Sequence, residues 1–245
     1  MLPEELFEFT RENIDTYLKA VAKEYRKISG KGIPAELILI GGACVLINYG
    51  FRNMTTDIDA LILSASSMKE AINTVGDRYN LPNGWLNTDF ENTSSYTPKL
   101  IQYSEYYKTF SNIVSIRTIS AEYLVAMKLQ SGRLYKNDLS DILGILAEHE
   151  KRHDPLSLDR IKKAYADLYG EWQQISDNVR VFIERAIENR NFEHQYTETR
   201  KDEMNADKLL FGFEQKYPEK VNSANIDDII SLLLNMKNQK HSDDQ

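Results

Sequence analysis

The sequence predicts an α+β protein, in which a mixed sheet flanked by helices is followed by a helical carboxy-terminal part. Up to about residue 150, short β-branched and glycine-bounded runs alternate with helical stretches, as in α/β and α+β proteins. The strongest change in composition is EHEKRHDP (148–155), a charged run closed by a proline. Beyond it, nearly every stretch has the spacing of a helix. We therefore predict one domain over residues 1–150 and a helical region over residues 151–245.

The elements of the predicted first domain follow from local patterns, taken in chain order. A helix is expected from about Glu4 to Ile28, ended by two glycines. ELILIGG (36–42) has the pattern of a buried strand that closes in a tight turn. The elements expected after it are a helix at ACVLINYG (43–50), a strand at TTDIDALIL (55–63), a helix around SSMKEAINTVGDRY, strands at KLIQYSEYY and NIVSIRTIS, and helices at 120–133 and 137–150.

The predicted helical region contains three apolar-periodic stretches and one polar one. The periodic stretches are SLDRIKKAYADLYG, EWQQISDNVRVFIERAIENR and NIDDIISLLLNMK. A long polar stretch separates the second from the third. The apolar spacing over 175–187 and 226–234 indicates helices that pack against the rest of the protein or against a partner.

The composition of the 245 residues excludes several classes of protein. A net charge of −7 argues against a coat for duplex DNA, although it leaves room for a small basic pocket for a nucleotide or an RNA end. The one cysteine, Cys44, rules out an internal disulfide. The acidic start MLPEELFEFTRENID is unlike a signal peptide, and no apolar run approaches the roughly 20 residues of a membrane span. We expect a cytoplasmic protein.

The informative pattern is a strand, the pair Gly41-Gly42, a helix, and then Asp57 and Asp59 at the start of a second strand. Alternate strand residues point to the same face, so the two carboxylates converge. Their repulsion is relieved by a hard divalent cation such as Mg²⁺, which retains open positions for phosphate oxygens. Glycines ahead of a helix let the backbone approach a phosphate and donate N–H groups. The combination is suited to a metal-bound triphosphate.

Each half of this pattern alone is common, since a lone Asp-x-Asp or Gly-Gly is most often a turn. The order of the two halves, the 14 residues between Gly42 and Asp57, and their place on strands carry the signal. Haloacid-dehalogenase-type phosphatases also use Asp-x-Asp, but there an apolar strand runs into the first Asp. Here polar residues precede the acids and the apolar run ALIL (60–63) follows them, which argues against a phosphatase.

A Gly-Gly turn followed by Asp-x-Asp resembles the nucleotidyltransferase (polymerase-β-like) superfamily. GGACVLINYGFRNMTTDID and LPNGWLN (81–87) resemble an uncharacterised bacterial nucleotidyltransferase group. SAEYLVAMKLQSGRLYKNDLSDILGIL (120–146) is also similar to the Lys…Arg…Asp…Asp segment of AbiE-type (type IV) toxin nucleotidyltransferases. The resemblance covers about residues 33–150. It implies a nucleotidyltransferase-type mixed sheet and Mg²⁺-dependent transfer of a nucleotide from an NTP to an acceptor hydroxyl, with Mn²⁺ as an alternative metal.

The resemblance also implies residue roles. Asp57 and Asp59 would ligate the metal and align the triphosphate, and Lys128 would offset developing charge. The other implied positions are Gly41 and Gly42 at the phosphates, Arg52, Thr55 and Arg133 in nucleotide binding, and Asp138 and Asp141 in catalysis. Alternatively, Lys128, Arg133 and the two helical aspartates form an ion-pair network that locks two helices together, and the two interpretations are compatible. The acceptor implied by AbiE-type toxins is a tRNA 3′ end or a protein, with an antitoxin or other partner protein.

One departure from the family leaves the function open. Many nucleotidyltransferases supply a third carboxylate from a later strand, whereas KLIQYSEYYKTF offers only Glu105. Glu105 substitutes, or Asp138 or Asp141 comes in from its helix, or the third role is missing. In the last case the protein would be a non-catalytic module that binds NTP or a partner. A transferase acting on a small molecule, of the aminoglycoside-modifying type, is a further alternative.

Overall fold

The predicted α+β class is confirmed by the structure, a computed structural model that describes residues 7–133, 135–222, 225–226 and 228–234. The chain forms two compact units, each made of two segments. The first unit takes Met1–Met127 and Asp159–Trp172, and the second takes Lys128–Leu158 and Gln173–Gln245. The division into domains near residue 150 stays a prediction.

The helices and strands alternate over the first half of the chain, and the regular elements described in the second half are helices. The strands are β1 (Phe9–Thr10), β2 (Ala35–Leu39), β3 (Met54–Thr55), β4 (Ile58–Leu63), β5 (Leu86–Asn87), β6 (Ser104–Phe110) and β7 (Val114–Ile119). The helices are α1 (Ile14–Ser29), α2 (Gly41–Asn48), α3 (Ser67–Tyr79), α4 (Ala121–Ser131), α5 (Asp138–Lys151), α6 (Leu158–Tyr169), α7 (Asp177–Asn189) and α8 (Phe192–Lys216).

The first unit is built on a five-stranded mixed sheet of order β5-β4-β2-β7-β6. The central strand β2 runs antiparallel to β4 and parallel to β7, and β6 runs antiparallel to β7. Helices α1 and α3 pack against each other and bury a core with one face of this sheet. Leu37, Leu39 and Ala60 belong to that core. Because side chains alternate along a strand, Asp59 points to the opposite face.

The amino-terminal segment differs from its prediction as a helix from about Glu4. Phe9–Thr10 forms strand β1 and pairs antiparallel with β3, and α1 begins only at Ile14. The backbone reverses between them, since Thr10 N donates to Asn13 Oδ1 at 2.9 Å and Asn13 N donates to Thr10 O at 3.3 Å. The start of the predicted helix, residues 4–6, lies outside the described residues.

Two predicted strands are divided in the structure. The stretch predicted as one strand over 55–63 contains the end of β3 and all of β4, with Thr56 and Asp57 between them. In KLIQYSEYY, the first residues belong to a 3₁₀ turn over Pro98–Tyr103, and β6 starts at Ser104. The turn is favoured by Pro98 at its start and by Thr97, whose side chain accepts a hydrogen bond from Lys99 N.

The second unit is helical, and α8 packs on both α5 and α7. The long polar stretch of the sequence forms most of α8, whose buried residues include Glu203, Ala206 and Leu210. Ala206 and Leu210 form a small core with Ile230, in the helical residues 228–234. The end of the predicted stretch NIDDIISLLLNMK lies beyond the described residues. Among the described residues, none of the helices combines the length and the apolar composition that a membrane span requires.

Candidate functional site

The glycine pair forms the first residues of helix α2, directly after strand β2. Gly41 has φ +53°, a left-handed conformation that glycine adopts without strain. Cys44 N donates to Ile40 O at 3.2 Å, so the helix begins within this turn. The N–H groups at the start of a helix have no partner within the helix. The turn therefore presents the backbone donors that a phosphate needs, beside residues without side-chain bulk.

Asp59 lies against this turn. It is the second residue of β4, and its carbonyl oxygen accepts a hydrogen bond of 3.0 Å from Ile40 N, the residue before the glycine pair. A Cβ placed on Gly41 would lie 3.3 Å from Asp59 Oδ2, so the carboxylate approaches the Gly41 backbone closely. Asp57 precedes β4 by one residue and is exposed, whereas Asp59 is half-buried. Because Asp57 lies outside β4, strand alternation fixes the direction of Asp59 alone, and the convergence of the two carboxylates stays a prediction.

Arg52 and Thr55 lie at the second glycine. A Cβ on Gly42 would lie 2.6 Å from Thr55 Oγ1 and 2.8 Å from Arg52 Nη2, closer than real Cβ atoms approach. Arg52 Nε donates to Met54 O at 3.1 Å, and Thr55 is buried in β3. The pairing of β3 with β1 thus holds a guanidinium and a hydroxyl beside the glycine backbone. Of the residues predicted from the sequence, the first unit brings Gly41, Gly42, Arg52, Thr55 and Asp59 together.

Glu105 lies away from these carboxylates. It pairs with Thr118 on β7, in the same row across the sheet as Leu39 and Ala60. Residues in one row share a face, so Glu105 points to the face opposite Asp59, and it lies on the far edge strand. Glu105 therefore does not supply the third carboxylate. Within the described ranges, no group of three or more His, Cys, Asp and Glu side chains is placed to hold a metal ion.

The other predicted residues form a separate cluster within the second unit. Lys128 Nζ lies 3.1 Å from Asp138 Oδ1 and 2.8 Å from Asp141 Oδ2, and all three side chains are 4% exposed. Arg133 Nε donates to Asp138 Oδ2 at 2.8 Å from a more exposed position. The two aspartates lie in the first turn of α5, and Lys128 lies near the end of α4. The ion-pair network expected from the sequence is present.

The charges of this cluster balance, with two cations for two carboxylates. Burial by itself would raise the pKa of Asp138, but the positive charges of Lys128 and Arg133 outweigh it and hold that pKa well below its usual range. Asp138 is therefore ionised at neutral pH. A buried ion pair of this kind is strongly destabilised when one partner is removed. The network has a structural role on these grounds, and a catalytic role for its members stays a prediction.

Glu203 is a residue of this region that reasoning from the sequence missed. It lies 3% exposed on α8, and its Oε1 accepts hydrogen bonds from Leu139 N at 2.9 Å and Ser140 N at 3.2 Å. Burial raises the pKa of Glu203 to about 7, despite the lowering effect of these N–H groups. In the sequence it is one acid among many in a polar stretch, so no local signal marks it.

The family of the chain follows from comparison with known proteins. Residues 16–197 match a family described as "Nucleotidyltransferase of unknown function" (DUF6036). The match covers more than half of the chain. The chain belongs to this family. No curated protein and no solved structure matches it. The matched range of this nucleotidyltransferase contains two groups of predicted residues. The glycine–carboxylate cluster of the first unit consists of Gly41, Gly42, Arg52, Thr55 and Asp59, and the Lys128 cluster of the second consists of Lys128, Arg133, Asp138 and Asp141.

Proposed function

We propose that this nucleotidyltransferase moves a nucleotide from an NTP to an acceptor hydroxyl in a Mg²⁺-dependent reaction, with Mn²⁺ as an alternative metal. The observation that carries the proposal is the close packing of Asp59 on Gly41 and of Arg52 and Thr55 on Gly42. Carboxylate, guanidinium, hydroxyl and backbone N–H groups meet in one place there. Together they are complementary to a metal-bound triphosphate, since a carboxylate suits the metal ion and the guanidinium, hydroxyl and N–H groups suit phosphate oxygens.

Each group near the glycine pair has a role in binding the triphosphate. The N–H groups at the start of α2 donate to phosphate oxygens, and the absence of side chains at Gly41 and Gly42 leaves the backbone accessible. Arg52 adds a permanent positive charge beside the phosphates, and Thr55 adds a hydroxyl that can donate a hydrogen bond to them. Transfer to the acceptor hydroxyl would release pyrophosphate.

Asp57 and Asp59 are the proposed ligands of the metal ion. Their oxygen atoms suit a hard cation, and the exposure of Asp57 leaves room for further ligands from phosphate and water. When bound, the ion would neutralise charge on the triphosphate and orient it for displacement. Without an ion the two carboxylates repel both each other and the nucleotide, so NTP binding should depend on the metal.

Catalytic roles for Lys128, Asp138 and Asp141, and nucleotide binding by Arg133, remain part of the proposal. Their support is the Lys…Arg…Asp…Asp resemblance to AbiE-type toxins. A second support is the burial of the charged cluster, because buried ionisable groups are found more often at functional sites than elsewhere. The same resemblance supports a tRNA 3′ end or a protein as acceptor, in a bacterial toxin–antitoxin or defence setting in the cytoplasm. An antitoxin would then be a partner protein.

A second candidate function is that of a non-catalytic module that binds NTP or a partner protein. The position of Glu105 on the opposite face of the sheet favours it, because the first unit then offers two carboxylates instead of three. Such a module would keep affinity for the metal-bound NTP and lack transfer. The two functions therefore differ in a measurable product rather than in binding.

The test combines binding with transfer. The protein is incubated with each α-labelled NTP, Mg²⁺ and either total RNA or total protein, and the label is followed into the macromolecular fraction. Calorimetry with the same NTP in Mg²⁺ and in EDTA runs in parallel. We expect metal-dependent binding and label transfer. Metal-dependent binding without transfer would favour the non-catalytic module, and equal affinity in EDTA would contradict the metal assignment.

A further inference from the structure

The amino-terminal end of helix α5 is capped from a different helix. The first N–H groups of a helix need partners outside it, and a side chain at the preceding residue usually supplies one. Asn137 precedes α5, and its side chain makes no such bond. Its Oδ1 instead accepts a hydrogen bond from Arg200 Nη1 on α8. The open N–H groups of Leu139 and Ser140 are bound by Glu203, three residues after Arg200.

The geometry of Glu203 is that of a bridging cap. A single oxygen, Oε1, accepts from both Leu139 N and Ser140 N, and the side chain is buried. The other oxygen, Oε2, is buried and has no hydrogen-bond partner among the residues that the structure describes. Burying a carboxylate in this way is unfavourable, and an apolar side chain would fill the space at lower cost. We therefore attribute the glutamate at position 203 to the need for an oxygen that accepts hydrogen bonds from Leu139 N and Ser140 N.

The turn that Glu203 caps carries the charged cluster. Asp138 and Asp141 flank Leu139 and Ser140 in the same turn of α5, and both carboxylates bind Lys128 Nζ. A fixed first turn sets the separation and direction of these two carboxylates, because both side chains start from its backbone. A frayed first turn would release them, since terminal turns are the first part of a helix to lose order.

We propose that Glu203 is a positioning residue, which caps α5 from α8 and thereby fixes Asp138 and Asp141 on Lys128 for nucleotide transfer. This inference rests on the proposed function, in which that cluster takes part in the reaction. Glu203 touches neither nucleotide nor metal in this scheme. It acts through the backbone of α5, so its effect should fall on turnover more than on NTP affinity.

The test compares two substitutions of similar size at one position. Glu203→Gln keeps an acceptor oxygen for the two N–H groups, and Glu203→Met removes it. Leu210→Ala, a cavity in the same helix, serves as the control for a general loss of stability. Each protein is assayed in the full chain, at a temperature where it is folded, for kcat and KM of transfer and for hydrogen exchange of the Leu139 and Ser140 amides.

The expected pattern separates positioning from stability. Glu203→Met should exchange both amides faster and lose kcat by about tenfold or more, the effect of a small misplacement of reacting groups, with a smaller change in KM for NTP. Glu203→Gln should stay within about twofold of the parent, which corresponds to less than half a kcal/mol. Leu210→Ala should lower the melting temperature and leave kcat and the two amides as they are.

Two results would overturn the inference. One is a Glu203→Met protein whose kcat matches that of Leu210→Ala, and the other is a Glu203→Gln protein as impaired as Glu203→Met. If Glu203→Met does not fold, exchange in the parent protein decides, because unprotected Leu139 and Ser140 amides would contradict the cap. A parent protein without any transfer would defeat the proposed function instead, and the exchange of the two amides in the variants would still test the cap.

Discussion

At the scale of single residues, Gly42 is the position where the site leaves least room. We expect Gly42→Ala to lower NTP affinity and transfer by at least tenfold, about 1.4 kcal/mol, because a Cβ would displace Thr55 Oγ1 and Arg52 Nη2 from 2.6 and 2.8 Å. Calorimetric titration with NTP and Mg²⁺ measures the effect. Gly32→Ala is the control, since nothing lies within 4 Å of a Cβ there. Equal affinity of the two variants would show that Gly42 is only a turn residue.

Glu203 makes a second prediction at this scale, about pH. Its pKa of about 7 lies above the usual 4.5, so the folded state holds the proton more tightly than the unfolded state. Stability from this group is therefore present at low pH and is lost as the pH rises towards and through 7. Glu203→Gln cannot titrate, so its stability relative to the parent should increase from pH 5 to pH 8, by on the order of 2 kcal/mol.

Denaturant unfolding of both proteins at pH 5 and pH 8 provides the measurement. Asp202→Asn is a suitable control, since Asp202 is the exposed neighbour of Glu203 on the same helix. Its stability relative to the parent should change little between the two pH values. A stability difference between Glu203→Gln and the parent that stays constant with pH would contradict the raised pKa of Glu203.

The residues of the glycine–carboxylate cluster could be predicted from the sequence because they lie close together in the chain. Gly41 through Asp59 span one strand–helix–strand segment, so order and spacing carry the signal. Glu203 and its partners Leu139 and Ser140 are more than 60 residues apart in the chain, and only the fold brings them together. The side of the sheet to which Glu105 points depends on strand register, which a single sequence does not reveal.

At the scale of elements, the Lys128 network joins the end of α4, from Lys128 onward, to α5 within the second unit. Lys128→Met should destabilise the protein by about 3–5 kcal/mol, because it removes the buried cation that both Asp138 and Asp141 contact, while Arg133 stays on Asp138. The matched control is Lys151→Ala, which removes an exposed ion pair with Glu193 and should cost far less, because solvent screens that pair. Denaturant unfolding of both variants decides. Similar small losses would mean that the cluster is not a stabilising network.

The elements themselves could be predicted where a hydrophobic pattern is strong. β2, β7, α5 and α7 lie where their periodicity places them, within a few residues. The short strands β1 and β3 were missed, because two residues are too few to show an alternating pattern. Their pairing brings together distant parts of the chain and does not follow from the β-propensity of their residues. The polar stretch was not recognised as α8, since one of its buried positions, Glu203, is charged, where an amphipathic pattern would have an apolar residue.

At the scale of the whole molecule, each compact unit consists of two segments that are not contiguous in the chain. Helix α6 illustrates why the sequence does not reveal this. Its buried residues Ile161, Ala164, Tyr165 and Leu168 keep helical spacing, which predicts a helix with an apolar face. Periodicity does not identify the surface that this face covers. The grouping of Asp159–Trp172 with Met1–Met127 therefore appears only in the structure.

A truncation tests this organisation. A chain ended at residue 150 loses α6, and with it four buried residues of the first unit, including Ile161 and Tyr165. We expect this fragment to be insoluble or to lack cooperative unfolding, because burying even one large apolar side chain contributes about 1.5–3 kcal/mol. Circular dichroism during heating is the measurement. A chain ended at residue 234 is the control, and a residue-150 fragment as stable as this control would contradict the expectation.

The central claim is that Asp57 and Asp59 act together in nucleotide transfer, and one double variant tests it most directly. Replacing both by Asn removes the repulsion between neighbouring carboxylates while preserving shape and hydrogen-bonding capacity. Label transfer from an α-labelled NTP is measured beside thermal unfolding in EDTA. We predict a melting temperature equal to or above that of the parent and a loss of transfer by several orders of magnitude. A clearly destabilised variant that still transfers label would contradict the assignment.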